Sequence, residues 1–154
     1  DKKHEKVVGI SWKSSNSNVN KNISLENLIL GIYSPKIRFV SLQYGEVEEE
    51  INNLKEKYGI EISLAREVDK FNDIDSLSSL INACDQIVSI DNSTGILAGA
   101  LGANCNLLLR QTSYWYWGVN DSRSYWFPLI QLFRQTKIEN WKKPLNAINK
   151  EISP

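Results

Sequence analysis

The chain has little histidine and cysteine, no surplus of either charge and no long apolar run. Its single histidine is His4, so neither a histidine-based metal site nor a Ser-His-Asp triad is expected inside it. Cys84 and Cys105 form no Cys-x-x-Cys pair and both sit in apolar settings. They read as reduced core thiols of a cytoplasmic protein. Lys plus Arg and Asp plus Glu number 18 each. That balance argues against a general nucleic-acid or acidic-membrane surface, which needs a basic excess. No uninterrupted apolar run approaches a membrane span, and no apolar stretch of signal-peptide length follows the start, Asp1 to Lys6. Residues 1–5 read as a frayed linker, so the native protein is expected to extend further N-terminally. A Gly-x-Gly-x-x-Gly after the first strand and a Walker-type Gly-Lys-Ser/Thr are both missing, which demotes ordinary NAD binding and P-loop hydrolysis. A receiver-type phosphoacceptor needs acids after the first strand, where Trp12-Lys13 stands. No repeat or low-complexity segment appears.

What is present is an alternation of strands and helices over 154 residues, enough for one domain with a real core. Lys6 to Trp12 reads as a buried strand, and Lys13 to Asn22 as a polar loop. Ser24 can cap a helix with apolar positions Leu25, Leu28, Ile29 and Ile32. Ile37 to Gln43 is a second strand. An acidic helix start, Glu46 to Glu50, leads into a face of Val47, Ile51, Leu54 and Tyr58 closed by Gly59. Ile60 to Ser63 is a third strand. Asp73 caps a helix with Ile74, Leu77, Leu80, Ile81 and Cys84 on one face. Gln86 to Ile90 is a fourth strand, followed at once by a small-residue helix, Ile96 to Leu101. Asn106 to Arg110 and Ile130 to Arg134 are strands five and six, separated by a long aromatic loop, Gln111 to Phe127. Trp141, Leu145, Ile148 and Ile152 mark a closing helix. This pattern predicts an α/β fold: a three-layer, Rossmann-like, doubly wound parallel sheet of about six strands in the order 3-2-1-4-5-6. The loops after strands 1 and 4 then flank one crevice at the switch point, where open α/β sheets bind ligands.

The stretch from Asp91 to Gly95 carries the chemistry. A strand feeding straight into a helix presents free N–H groups at the sheet edge, which favours an anion such as a phosphate. Asn92, Ser93, Thr94 and Gly95 are candidate diphosphate binders; the bland alternative is a capped helix start. A carboxylate repels phosphate, so Asp91 is expected to orient the loop or accept a hydroxyl. Lys13 and Lys21 lie in the facing loop, either solvated or offsetting the charge of a diphosphate. Glu46, Glu48, Glu49 and Glu50 either favour the helix start or place one carboxylate on a ribose diol. The aromatic loop, with Trp115, Trp117 and Trp126, either packs on the sheet edge or a partner domain, or stacks on a base or sugar.

Several stretches together are similar to a known family. They are Val8-Gly9-Ile10-Ser11-Trp12, Val40 to Gly45, Asp85 to Thr94 continued by Ala98 to Gly102, and Trp126-Phe127-Pro128 followed by Leu132 to Gln135. In that order the chain resembles the C-terminal half of GT-B glycosyltransferases of the heptosyltransferase type (glycosyltransferase family 9), in the version found behind tetratricopeptide repeats in bacterial proteins. The resemblance implies a domain, 1–154, that binds a nucleotide-diphosphate-sugar donor as substrate and needs no other cofactor or metal. It implies that Lys21, Glu49 and Asp91-Asn92-Ser93 hold the donor. It further implies inverting transfer to an acceptor bound by an N-terminal half, which is also expected to supply the catalytic base, so the domain by itself is expected to be inactive. Many members carry a histidine where this chain has Ile96. Two alternatives follow from that departure and from the fold: a non-catalytic module kept for protein contacts, and a sugar-nucleotide epimerase.

Overall fold

The computed structural model describes residues 6–15 and 21–153. The expected linker 1–5, with His4, and residues 16–20 of the first loop lie outside the described residues.

Six strands form one parallel sheet: β1 (Lys6–Ser11), β2 (Ile37–Ser41), β3 (Ile62–Ser63), β4 (Gln86–Ile90), β5 (Cys105–Leu109) and β6 (Ile130–Arg134). Their spatial order is β3-β2-β1-β4-β5-β6, with every neighbouring pair parallel. The order places β1 beside β4 in the register Ile10↔Val88 and Ser11↔Ser89. The winding direction reverses between these two strands, so the switch point expected from the alternation is present.

Among the described residues, five α-helices cover the sheet: α1 (Leu25–Ile32), α2 (Glu48–Tyr58), α3 (Ile74–Asn82), α4 (Ser93–Ala100) and α5 (Lys142–Ile152). Period-2 alternation in the strands sends successive side chains to opposite faces. Val8, Ile10, Phe39, Val88, Ile90 and Leu108 therefore pack with the apolar faces of α1, α2 and α5. Ile87, Leu107, Leu109, Ile130 and Leu132 pack on the other face with Leu77 and Ile81 of α3 and Ala98 of α4. Burial on both faces explains why the strands read as near-continuous apolar runs.

Local chemistry sets the helix ends. Ser24 accepts from the Asn27 N–H at 3.2 Å and Asp73 from the Ser76 N–H at 3.0 Å, each as an N-cap. Gly59 closes α2 in the left-handed region at φ 68°, donating its N–H to the Lys55 carbonyl. Several boundaries differ from the expectations: β1, β2 and β5 stop one or two residues sooner, β3 starts two residues later and α2 starts at Glu48 rather than Glu46. Two further shifts have a local cause. The helix after β4 begins at Ser93, not Ile96, because Asn92 caps it directly. Strand β5 begins one residue earlier, because the Cys105 N–H bonds the Leu129 carbonyl at 3.1 Å and draws that residue into the sheet.

Candidate functional site

The C-terminal ends of β1, β2 and β4 are tied together by two buried amides. Gln43, just past β2, turns its side-chain oxygen across to β1. That oxygen accepts from the Trp12 N–H at 2.9 Å, the Lys13 N–H at 2.8 Å and the Ser11 hydroxyl at 3.1 Å. It thus satisfies main-chain donors just past the end of β1, where a buried N–H without an acceptor would be unfavourable. Asn92 does the same from β4. Its oxygen accepts from the Gly95 N–H at 3.1 Å and the Ser89 hydroxyl at 3.0 Å. Its nitrogen donates to the Ser11 hydroxyl at 2.8 Å and to the Lys13 carbonyl at 3.0 Å. One side chain therefore caps α4 and fixes the loop after β1.

The sequence-derived candidates separate under this geometry. Asp91 is buried, and its carboxylate accepts from the Trp117 indole N–H at 3.0 Å. The Asp91 carbonyl accepts from the Lys21 ammonium at 2.9 Å. Lys21 is only 7% exposed, and its ammonium lies 5.9 Å from the Tyr114 ring centroid. Among the described residues, no carboxylate forms an ion pair with it. Lys13 instead pairs with Glu50, whose other oxygen accepts from the Trp12 indole at 3.2 Å. Glu49 is exposed on the first turn of α2. The 100° step between helical residues turns it away from Glu50, so Glu50 is the carboxylate brought to the loop after β1.

Of the four candidate backbone donors, two have partners within the turn. The Asn92 N–H bonds the Ile90 carbonyl at 2.9 Å, and the Gly95 N–H bonds the Asn92 side chain. Ser93 and Thr94 are the first two residues of α4, whose N–H groups have no intrahelical acceptor. Ser93 is exposed and Thr94 is buried. Gly95 is a packing residue: a Cβ there would lie 2.6 Å from the Leu107 side chain and 3.1 Å from the Ile90 carbonyl. Its absence lets α4 start hard against β4 and β5.

The segment after β5 forms the far wall. A short 3-10 turn, Trp115–Trp117, is anchored at Trp117 through Asp91. Arg134 anchors it from β6, donating to the Ser113 hydroxyl and to the Trp117 and Gly118 carbonyls at 3.2 and 3.0 Å. The Tyr116 hydroxyl is held above its ordinary pKa by burial first, and then by the negative charge of Asp91 and by Tyr114. Tyr116, Trp126, Phe127 and Ile96 line an open apolar notch of about 320 Å³ beside the first turn of α4. Among the described residues, no cluster of His, Cys, Asp or Glu is able to hold a metal ion, and no helix is long and apolar enough to cross a membrane.

Gln43, Glu50 and Trp117 carry more of this site than their sequence signals suggested. Gln43 announces itself only as the polar last residue of the expected second strand and as part of the family-like stretch Val40 to Gly45. Glu50 is one of four glutamates near the start of α2, and Trp117 one of several aromatics in a loop.

No family model matches the chain. It is 30% identical over 145 residues to Protein FlbA of Caulobacter vibrioides, a match that covers 92% of this chain and 24% of that protein. The chain thus spans about a quarter of the length of the curated relative it matches.

Proposed function

We propose that this domain is the donor-binding half of a nucleotide-sugar glycosyltransferase. In this reading a nucleoside diphosphate sits at the mouth of β4, with its diphosphate against the first turn of α4. The observation that carries the reading is Lys21. An ammonium has three N–H donors, and burying one without an opposing charge is unfavourable. Lys21 is buried against one carbonyl and one ring face. A diphosphate arriving beside it supplies the missing charge, and the N–H groups of Ser93 and Thr94 add donors on the same edge. During transfer this cation and these amides would stabilise the leaving diphosphate electrostatically.

The switch-point position and the likeness to the heptosyltransferase type support the same reading. Inverting displacement, a cytoplasmic location and an N-terminal half or repeat domain that brings the acceptor and the catalytic base belong to this proposal. No further cofactor is required by it. Of the four candidate glutamates for a ribose diol, Glu50 rather than Glu49 takes that role in this reading, with the ligand displacing or sharing its contact with Lys13.

Calorimetric titration with UDP, ADP, GDP and their sugars tests the proposal. At least one is expected to bind, and Lys21→Ala is expected to weaken it by tenfold or more, since a charge-assisted contact contributes roughly 1.5–3 kcal/mol. Absence of binding by every nucleotide overturns the proposal. A second reading, an interaction module of the same fold, is favoured by one observation. Trp115, Tyr125 and Trp126 are 80, 78 and 63% exposed, and aromatic side chains are enriched at protein interfaces. A chain that ignores nucleotides but self-associates or holds a protein partner would fit that reading.

A further inference from the structure

Resting on the donor-binding reading, we infer that the sugar carried by the donor presents a methyl group, on an N-acetyl or a 6-deoxy position, to the notch of Ile96, Tyr116, Trp126 and Phe127. The inference starts from an asymmetry across the mouth of β4. On the β2 side stand hydrogen-bonding groups: Gln43, Lys13, Glu50 and the Tyr44 hydroxyl, which accepts from the Ser15 N–H at 2.9 Å. On the β5 side stands the apolar notch. The sheet order places these two sides on opposite flanks of β4.

A nucleotide-sugar is asymmetric in the same way about its diphosphate. Its ribose and base carry many donors and acceptors and suit the polar flank. The sugar at the other end of the diphosphate then falls on the β5 flank. Ile96 lies three residues after Ser93 on α4, hence on the same helix face and about one turn further along. A sugar ring attached to a phosphate at Ser93 therefore spans the rise of about 4.5 Å to Ile96.

The notch selects by chemistry. Its lining is aliphatic and aromatic, and Phe127 lies directly on Gly99, where a Cβ would be 2.6 Å from the ring. A sugar hydroxyl carried there gives up part of its hydration against a mostly carbon surface. A methyl group gains from leaving water, by a factor of roughly four for each buried CH2-sized unit. Ring C–H groups also pack on the faces of Tyr116 and Trp126.

The test is a calorimetric comparison of matched donors on this chain. UDP-N-acetylglucosamine is set against UDP-glucose, and a 6-deoxy nucleotide-sugar against its 6-hydroxy counterpart with the same base. The bare nucleoside diphosphate is titrated in parallel. The expected result is binding of the bare diphosphate and a preference of about fourfold for one methyl-bearing partner. The pair that shows it identifies the N-acetyl or the 6-deoxy position. Ile96→Asn is expected to reduce that preference at least threefold while leaving affinity for the bare diphosphate unchanged. Trp126→Ala, at an exposed position that the fold tolerates, is expected to do the same. If the bare diphosphate binds but both pairs show equal affinities, or if neither variant narrows the ratio, the inference is overturned while the donor-binding reading stands. If no nucleoside diphosphate binds, both are overturned.

Discussion

Replacing Asn92 with alanine removes a side chain that joins three elements, the end of β1, β4 and α4. Four hydrogen bonds are lost, to the Gly95 N–H, the Ser89 hydroxyl, the Ser11 hydroxyl and the Lys13 carbonyl. They do not count equally. Ser89 also donates to the Ile90 carbonyl at 2.9 Å, and Ser11 keeps Gln43 at 3.1 Å, so both hydroxyls retain a partner. The Gly95 N–H loses its cap in a buried setting, at about 1–2 kcal/mol. The Lys13 carbonyl loses its donor, and the net loss of such a bond is about 1 kcal/mol. The sum is about 2–3 kcal/mol. With a urea dependence of about 2 kcal/mol per molar, the midpoint falls by about 1–1.5 M. Tryptophan emission reports the transition well, because Trp12 and Trp117 are fully buried in the fold. Asn92→Asp keeps both acceptor contacts but sets a buried carboxylate oxygen against the Lys13 carbonyl, so its midpoint also falls below that of the parent. A fall of less than about 0.5 M for Asn92→Ala refutes the view that this amide is the tie between β1, β4 and α4.

Three further outcomes are expected. Trp117→Phe keeps an aromatic ring, smaller than the indole, and removes the N–H that Asp91 accepts. Leaving that buried carboxylate short of a donor lowers stability by about 1–3 kcal/mol in urea melts. Gly95→Ala gains up to about 1 kcal/mol of helix propensity but forces a Cβ to within 2.6 Å of Leu107; overpacking of this kind loses about 1–3 kcal/mol, so denaturation is expected to show a net loss. Burial pushes the Cys105 thiol up to about 12 and the Cys84 thiol up to about 11, from 9.0. Folded and unfolded chains therefore both hold these protons below pH 9, and above it the unfolded chain releases them first. Stability is expected to fall as pH rises from 9 toward 11–12, with a slope of up to about 1.4 kcal/mol per pH unit from Cys105. The difference between the parent and Cys105→Ala isolates that slope, and the absence of a difference refutes the assignment.

The fold was legible because its signals are redundant. Each strand is a short apolar run, each helix carries an apolar stripe, and caps such as Ser24, Asp73 and Gly59 mark the junctions. The alternation then leaves few topologies open. Boundaries were harder where a side chain competes with periodicity. Asn92 starts α4 three residues before its first apolar position, because capping depends on one amide rather than on a repeating pattern. Cys105 joins β5 through a carbonyl 24 residues away, at Leu129, and no local signal encodes that pairing.

The site was legible only in part, for a physical reason that Asp91 illustrates. A carboxylate in a phosphate cradle is contradictory when its sequence neighbours alone are considered. In the folded chain the carboxylate turns to the indole of Trp117, 26 residues away, while its main-chain carbonyl turns to Lys21, 70 residues away. The negative side chain thereby anchors the aromatic segment, and the edge of the turn is left to a cation and to the free amides of α4. Glu49 and Glu50 make the same point at a smaller scale. Both belong to the acidic start of α2, and the choice between them rests on 100° of helical rotation, which composition does not register. What a residue type offers is written in the sequence; which of its atoms faces the crevice is decided by contacts dozens of residues away.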